Sequence, residues 1–166
     1  MTDIPNIPRP SHLWKSLSAE RKVRAAESFW RDENAVAEQA EAIATIAQRI
    51  KFRTKSVVAL PVEKKATQLA SLAGVSELVA ARLLVAYHLH HQRPMMGSFL
   101  DALGIAHENG MIADEDLQPP PPEALKAAAG TLAATYPAED VSLYLSTLIW
   151  QDHETWGALA DALPGR

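Results

Sequence analysis

The stretch Ser76-Glu77-Leu78-Val79-Ala80-Ala81-Arg82-Leu83-Leu84-Val85-Ala86-Tyr87-His88-Leu89-His90-His91-Gln92 decides the fold. Its apolar residues Leu78, Val79, Leu83, Leu84, Val85 and Leu89 fall nearly all round a helical wheel, not on one face. A helix that is apolar on every side has to be enclosed by other elements. The spacing therefore predicts a helix over residues 76–92, capped by the Ser76 hydroxyl. It would be the buried central helix of a compact, all-α bundle of about eight helices.

Upstream, Pro5, Pro8 and Pro10 mark residues 1–12 as an extended arm. Ser16 or Ser18 caps a first helix to about Asp32 that carries Trp14, Phe29 and Trp30 toward the core. Val36, Ala40, Ile43, Ala47 and Ile50 then repeat at spacings of four and three, the stripe of a bundle helix. Val57-Val58-Ala59-Leu60 reads as a short extended segment. A helix from Pro61 to about residue 73 follows, with Gly74 as its left-handed C-terminal cap.

Downstream, Pro94 opens a helix that Gly104 ends. Asn109-Gly110 supplies turn chemistry within a loop over residues 105–118. Pro119 to Pro122 form a stiff spacer, and three further helices follow. About 45 residues of amphipathic helix rarely fold alone. The expected organisation is a core over 1–118 and a proline-linked segment over 119–166, together one structural domain.

The bulk numbers exclude several classes. The 166 residues hold no Cys, so disulfides, thiolate nucleophiles and Cys-ligated metals are excluded. Met1-Thr2-Asp3-Ile4-Pro5 has neither a basic start nor an apolar run, and no signal peptide is read there. No apolar run approaches the roughly 20 residues of a membrane span. The expectation is a cytoplasmic chain with no membrane partner.

The net charge of −4 is unevenly placed. Residues 1–93 hold 14 Lys/Arg against 9 Asp/Glu, whereas residues 94–166 hold 2 against 11. Cations crowd around Phe52 as Arg49, Lys51, Arg53 and Lys55. Such a basic half attracts phosphate, RNA or DNA, and complementary charge between the two parts, or between subunits, is the competing explanation.

Residues 66–84 resemble the helix-turn-helix of bacterial repressors, especially the LacI type. The matching residues are Ala70 in the first helix, Gly74 in the turn, Val75 and Ser76 opening the second, then Arg82, Leu83 and Leu84. The resemblance implies a left-handed Gly74 and a second helix laid in the DNA major groove. Ser76, Glu77, Leu78, Ala81 and Arg82 would then face bases. Gly74-Val75-Ser76 with Ala80 and Leu83 also loosely resembles a helix-hairpin-helix, with Ser76 where a second Gly is usual. The implied nucleic-acid contacts are Arg49, Lys51, Arg53, Lys55 and Arg82.

His88 and His91 share a helix face, and His107 lies downstream, so these three are candidate metal ligands. The spacing lacks the His-Glu-x-x-His pattern. Tyr87, His88, Met95 and Phe99 are candidate pocket-lining residues. The seven glycines are scattered, without a phosphate loop or a Gly-x-Ser-x-Gly elbow, so no catalytic residue and no cofactor is assigned.

Three functions remain open at this point. One is a helical interaction or assembly module without catalytic activity, self-associating or binding a protein partner. The second is a small nucleic-acid-binding regulator using residues 66–84 and the cations. The third is a metal-dependent enzyme using His88, His91 and His107.

Overall fold

The computed structural model describes residues 8–164. Among them are ten α-helices, one 3-10 helix and a two-stranded hairpin, an all-α fold. The helices are α1 (Pro10–Ser16), α2 (Ala19–Arg31), α3 (Val36–Ile50), α4 (Thr54–Val58), α5 (Val62–Ala70), α6 (Glu77–His91), α7 (Arg93–Leu103), α8 (Pro122–Thr135), α9 (Ala138–Gln151) and α10 (His153–Trp156). The excess over the expected eight comes from short pieces. One is α1, which occupies part of the expected arm, and another is α4, which replaces the expected extended segment. Among described residues, no helix is long and apolar enough to cross a membrane.

The described residues divide into two compact units, Arg9–His90 and residues 91–164 with Pro8. The division falls within α6, not at the proline run 119–122. In the first unit, Ser18 caps α2 by accepting from the Arg21 N–H at 3.2 Å. Helix α2 packs closely on α5. Fully buried Ala25, Ala26 and Ala66 sit on these two helices, and small residues let backbones approach. Trp14, Phe29, Ile46, Leu69, Leu83 and Leu84 fill the interior. Loss of one such aromatic to Ala would cost about 3–5 kcal/mol.

Helix α6 is buried at Val79, Ala80, Leu83, Leu84, Ala86, Tyr87 and His88, as a central helix requires. Ser76 caps it, accepting from the Val79 N–H at 3.3 Å. Its first turn departs from the expectation, because Leu78 is 70% exposed.

In the second unit α8 packs against α7, α9 and the 3-10 helix Gly157–Ala162. The core holds Met95, Phe99, Leu125, Leu132, Leu145 and Leu159. Gly104 ends α7 at φ +70°, as its position predicted. Strands β1 (His107–Glu108) and β2 (Met111–Ile112) pair antiparallel around Asn109-Gly110, inside the stretch expected as a loop. Both turn residues have positive φ, 50° and 87°, the geometry that matches strand twist in a tight hairpin.

Candidate functional site

The cationic cluster is built by the end of α3. The Lys51 and Phe52 N–H groups both donate to the Ala47 carbonyl, and Lys51 adopts the left-handed conformation at φ 57°, ψ 38°. Glycine is the usual residue at this position of a helix end. The chain then turns into α4, which is pinned by fully buried Val57. That turn leaves Phe52 51% exposed and Val58 54% exposed.

An open concavity of about 430 Å³ lies beside Phe52, lined by Ile50, Phe52, Leu60, Lys64, Thr67 and Gln68. A second, of about 470 Å³, is lined by residues of α3 (Thr45, Gln48 and Arg49) and by Ser71 to Gly74. Arg49, Lys51, Arg53, Lys55 and Lys64 are all exposed. None of these five side chains makes an ion pair or hydrogen bond among the described residues. Lys64 lines the same concavity as exposed Phe52, and Arg49, Lys51, Arg53 and Lys55 lie within three residues of Phe52 along the chain. Such a face suits an anionic ligand carrying an apolar group.

The fifth expected cation is employed elsewhere. Arg82 donates to the Asn34 carbonyl at 3.1 Å and lies 3.9 Å from Glu38. Glu77 accepts from both the backbone N–H and the hydroxyl of Ser11. Gly74 is absent from the positive-φ glycines. A Cβ there would meet only the Lys15 side chain, Cε at 3.2 Å, the movable end of an exposed residue. Helix α5 ends at Ala70 with Ser71 in right-handed conformation, so Gly74 is not its cap. Three features implied by the repressor resemblance are therefore corrected: the left-handed glycine, a free Arg82 and a free Glu77.

The histidine set is not assembled. Among described residues no group of three or more His, Asp or Glu side chains converges as metal ligands. His88 is 3% exposed, and burial lowers its pKa to about 4, against a smaller opposing effect of its hydrogen bond with Leu84. His91 is exposed at the end of α6. His107 is committed on both ring nitrogens, to Asp101 at 2.7 Å and to the Gly110 N–H at 3.0 Å.

The expected pocket lining is core. Tyr87 and His88 are buried in the first unit, their rings 5.6 Å apart edge-on. Met95 and Phe99 are buried in the second, where the Phe99 ring meets Tyr144 at 5.8 Å and Trp156 at 5.9 Å. Neither concavity described above includes any of the four.

The sequence singled out the cations but not their apolar partners. Ile50 had been assigned to the buried stripe of α3, and Lys64, Thr67 and Gln68 carried no signal of their own. Phe52 did carry one, as an aromatic directly between Lys51 and Arg53. No family model, no curated protein and no solved structure matches this chain.

Proposed function

We propose that this chain is a helical interaction module without catalytic activity, and that its docking face is the Phe52 concavity, with Lys64 in its lining, together with the cations that flank Phe52 in the chain. The ligand is an acidic protein segment that also carries an apolar side chain. The observation that carries this reading is the exposure of Phe52 among five uncommitted cations. Carboxylates meet Arg49, Lys51, Arg53, Lys55 and Lys64, while an apolar group covers Phe52 and the nearby Ile50 and Leu60. Electrostatic complementarity of this kind speeds encounter and fixes orientation, and the apolar contact supplies most of the affinity.

Charge disfavours nucleic acid as the ligand. The Arg9–His90 unit holds 13 Lys/Arg against 8 Asp/Glu, but the rest of the sequence holds 3 against 12. A net −9 on the same chain opposes a phosphate polymer at long range.

Fluorescence anisotropy tests the proposal with a labelled Asp/Glu-rich peptide containing one Leu, beside a labelled single-stranded oligonucleotide. The peptide is expected to bind at low salt. Phe52→Ser should weaken it roughly fivefold to tenfold, the equivalent of burying half a phenylalanine, about 1–1.4 kcal/mol. Peptide binding indifferent to Phe52→Ser would overturn the reading. So would oligonucleotide binding with a steep salt dependence.

A further inference from the structure

The docking face calls for a ligand with clustered carboxylates next to an apolar side chain, and the chain itself contains one. Resting on the reading above, we infer that the face is occupied by the acidic segment at residues 114–117 of a second copy of this chain.

Asp114, Glu115 and Asp116 are all exposed, and half-buried Leu117 follows them directly. The Asp114 carboxylate accepts from the Asp116 N–H at 2.9 Å, a local bond that fixes the bend of the segment. The side chains of Glu115 and Asp116 make no hydrogen bond or ion pair among the described residues. Pro119 to Pro122 begin two residues later, so the segment is held by stiff chain and loses little freedom on docking. Met111, 46% exposed on β2, adds apolar surface nearby in sequence.

Charge complementarity selects this occupant. The two units carry net charges of +5 and −9, and the positive one concentrates six of its cations between Arg49 and Lys65 against a single carboxylate, Glu63. Like units of two copies repel and unlike units attract. The contact joins two different patches, so it either closes reciprocally as a pair or propagates. Exposed ion pairs are individually weak and screened by salt, so the association is weak and salt-sensitive.

Sedimentation equilibrium of the whole chain provides the test. At low salt the weight-average mass should rise with concentration above 18.1 kDa, and at about 0.5 M salt it should return to 18.1 kDa. The double variant R53E/K55E and the double variant D114K/E115K should each associate at least tenfold more weakly. Mixing the two variants should restore association, because each reversed patch then finds its complement. All four positions are exposed, and circular dichroism checks that both variants fold.

A mass of 18.1 kDa at every concentration in low salt overturns the inference. So does association that neither reversal weakens, or a mixture no stronger than its components. If the chain stays monomeric while the unrelated acidic peptide still binds in a Phe52-dependent way, only the occupant is wrong and the docking face stands. If the peptide also fails, both fall.

Discussion

His107 Nε2 lies 2.7 Å from Asp101 Oδ1. The Gly110 N–H can only donate, so Nδ1 of the same ring presents its lone pair to it, at 3.0 Å. The proton of the neutral ring therefore sits on Nε2 and is donated to the carboxylate. The ring also lies over Gly97, where a Cβ would meet its Cε1 at 3.3 Å. Nε2 ties the hairpin to α7 and Nδ1 braces the hairpin's own turn, so this dyad is a clasp and has no lone pair left for a substrate.

Removing that clasp has a graded outcome. His107→Ala loses both bonds and should lower stability by about 1–2 kcal/mol. Asp101→Asn keeps an acceptor at the same place and, with Asp101 exposed, should cost less than about 1 kcal/mol. Urea midpoints rank the two variants, and amide exchange at Gly110 should speed up in His107→Ala alone.

Gly110 is constrained twice. Its φ is +87°, and a Cβ there would meet Met96 Cβ at 2.8 Å and the Arg93 carbonyl oxygen at 3.2 Å. Gly110→Ala should therefore cost about 2–4 kcal/mol, from backbone strain plus overlap. Thermal unfolding at neutral pH measures it, and a loss under 1 kcal/mol would contradict the hairpin geometry.

His88 makes stability depend on pH. Its pKa falls from 6.5 to about 4 because burial excludes the charged ring. Between those values the unfolded chain binds the proton that the folded chain refuses. Stability is therefore lost as pH drops from about 6.5 toward 4, by about 3 kcal/mol if the group acts alone. His88→Leu should flatten that part of the stability–pH curve. An unchanged slope would mean that the ring is hydrated in solution.

The lysine in left-handed conformation sets stability against binding. Lys51→Gly relieves the conformational strain of a side chain at φ 57°, partly offset by glycine's greater freedom when unfolded. The net effect should be a gain of about 0.5–1 kcal/mol in urea. The same variant removes the cation that precedes Phe52 and should weaken the acidic peptide. Phe52→Ser, at a half-exposed position, should lower stability in urea by no more than about 1–1.4 kcal/mol, the burial it gives up.

The close approach of α2 and α5 rests on alanine. Ala66 is fully buried on α5, and Ala66→Leu should cost at least about 1–3 kcal/mol through overpacking. Replacing exposed Ala37 of α3 by Leu supplies the control and should change little.

Local chemistry explains what could be read in advance. Ser18, Ser76, Gly104 and Asn109-Gly110 do their work within a few residues of themselves, and each behaves as its position predicts. Long-range packing explains the misreadings. Val57-Val58 looked extended because β-branched residues favour strands, yet burying Val57 holds that segment as a helical turn. Gly74 has the spacing of a cap, whereas α5 already ends at Ala70 and Gly74 is not left-handed.

The proposed docking face is half legible in the sequence for the same reason. Arg82 and Arg53 are indistinguishable as letters. Only tertiary contacts reveal that one is held by Asn34 and Glu38 while the other is uncommitted. Likewise, nothing in the pattern Val36 to Ile50 tells that the last apolar residue of the stripe lines a concavity.

Helix α6 continues to His91, one residue beyond the point where the chain divides. The division therefore falls inside the last helical turn, one residue short of the break at Gln92. A fragment ending at His90 or starting at His91 would strip carbonyls and amides of their partners and fray the last turn. Gene fragments meant to isolate either unit are better cut at Gln92, the non-helical residue between α6 and α7, so that the Arg9–His90 unit keeps the whole helix that fills its core.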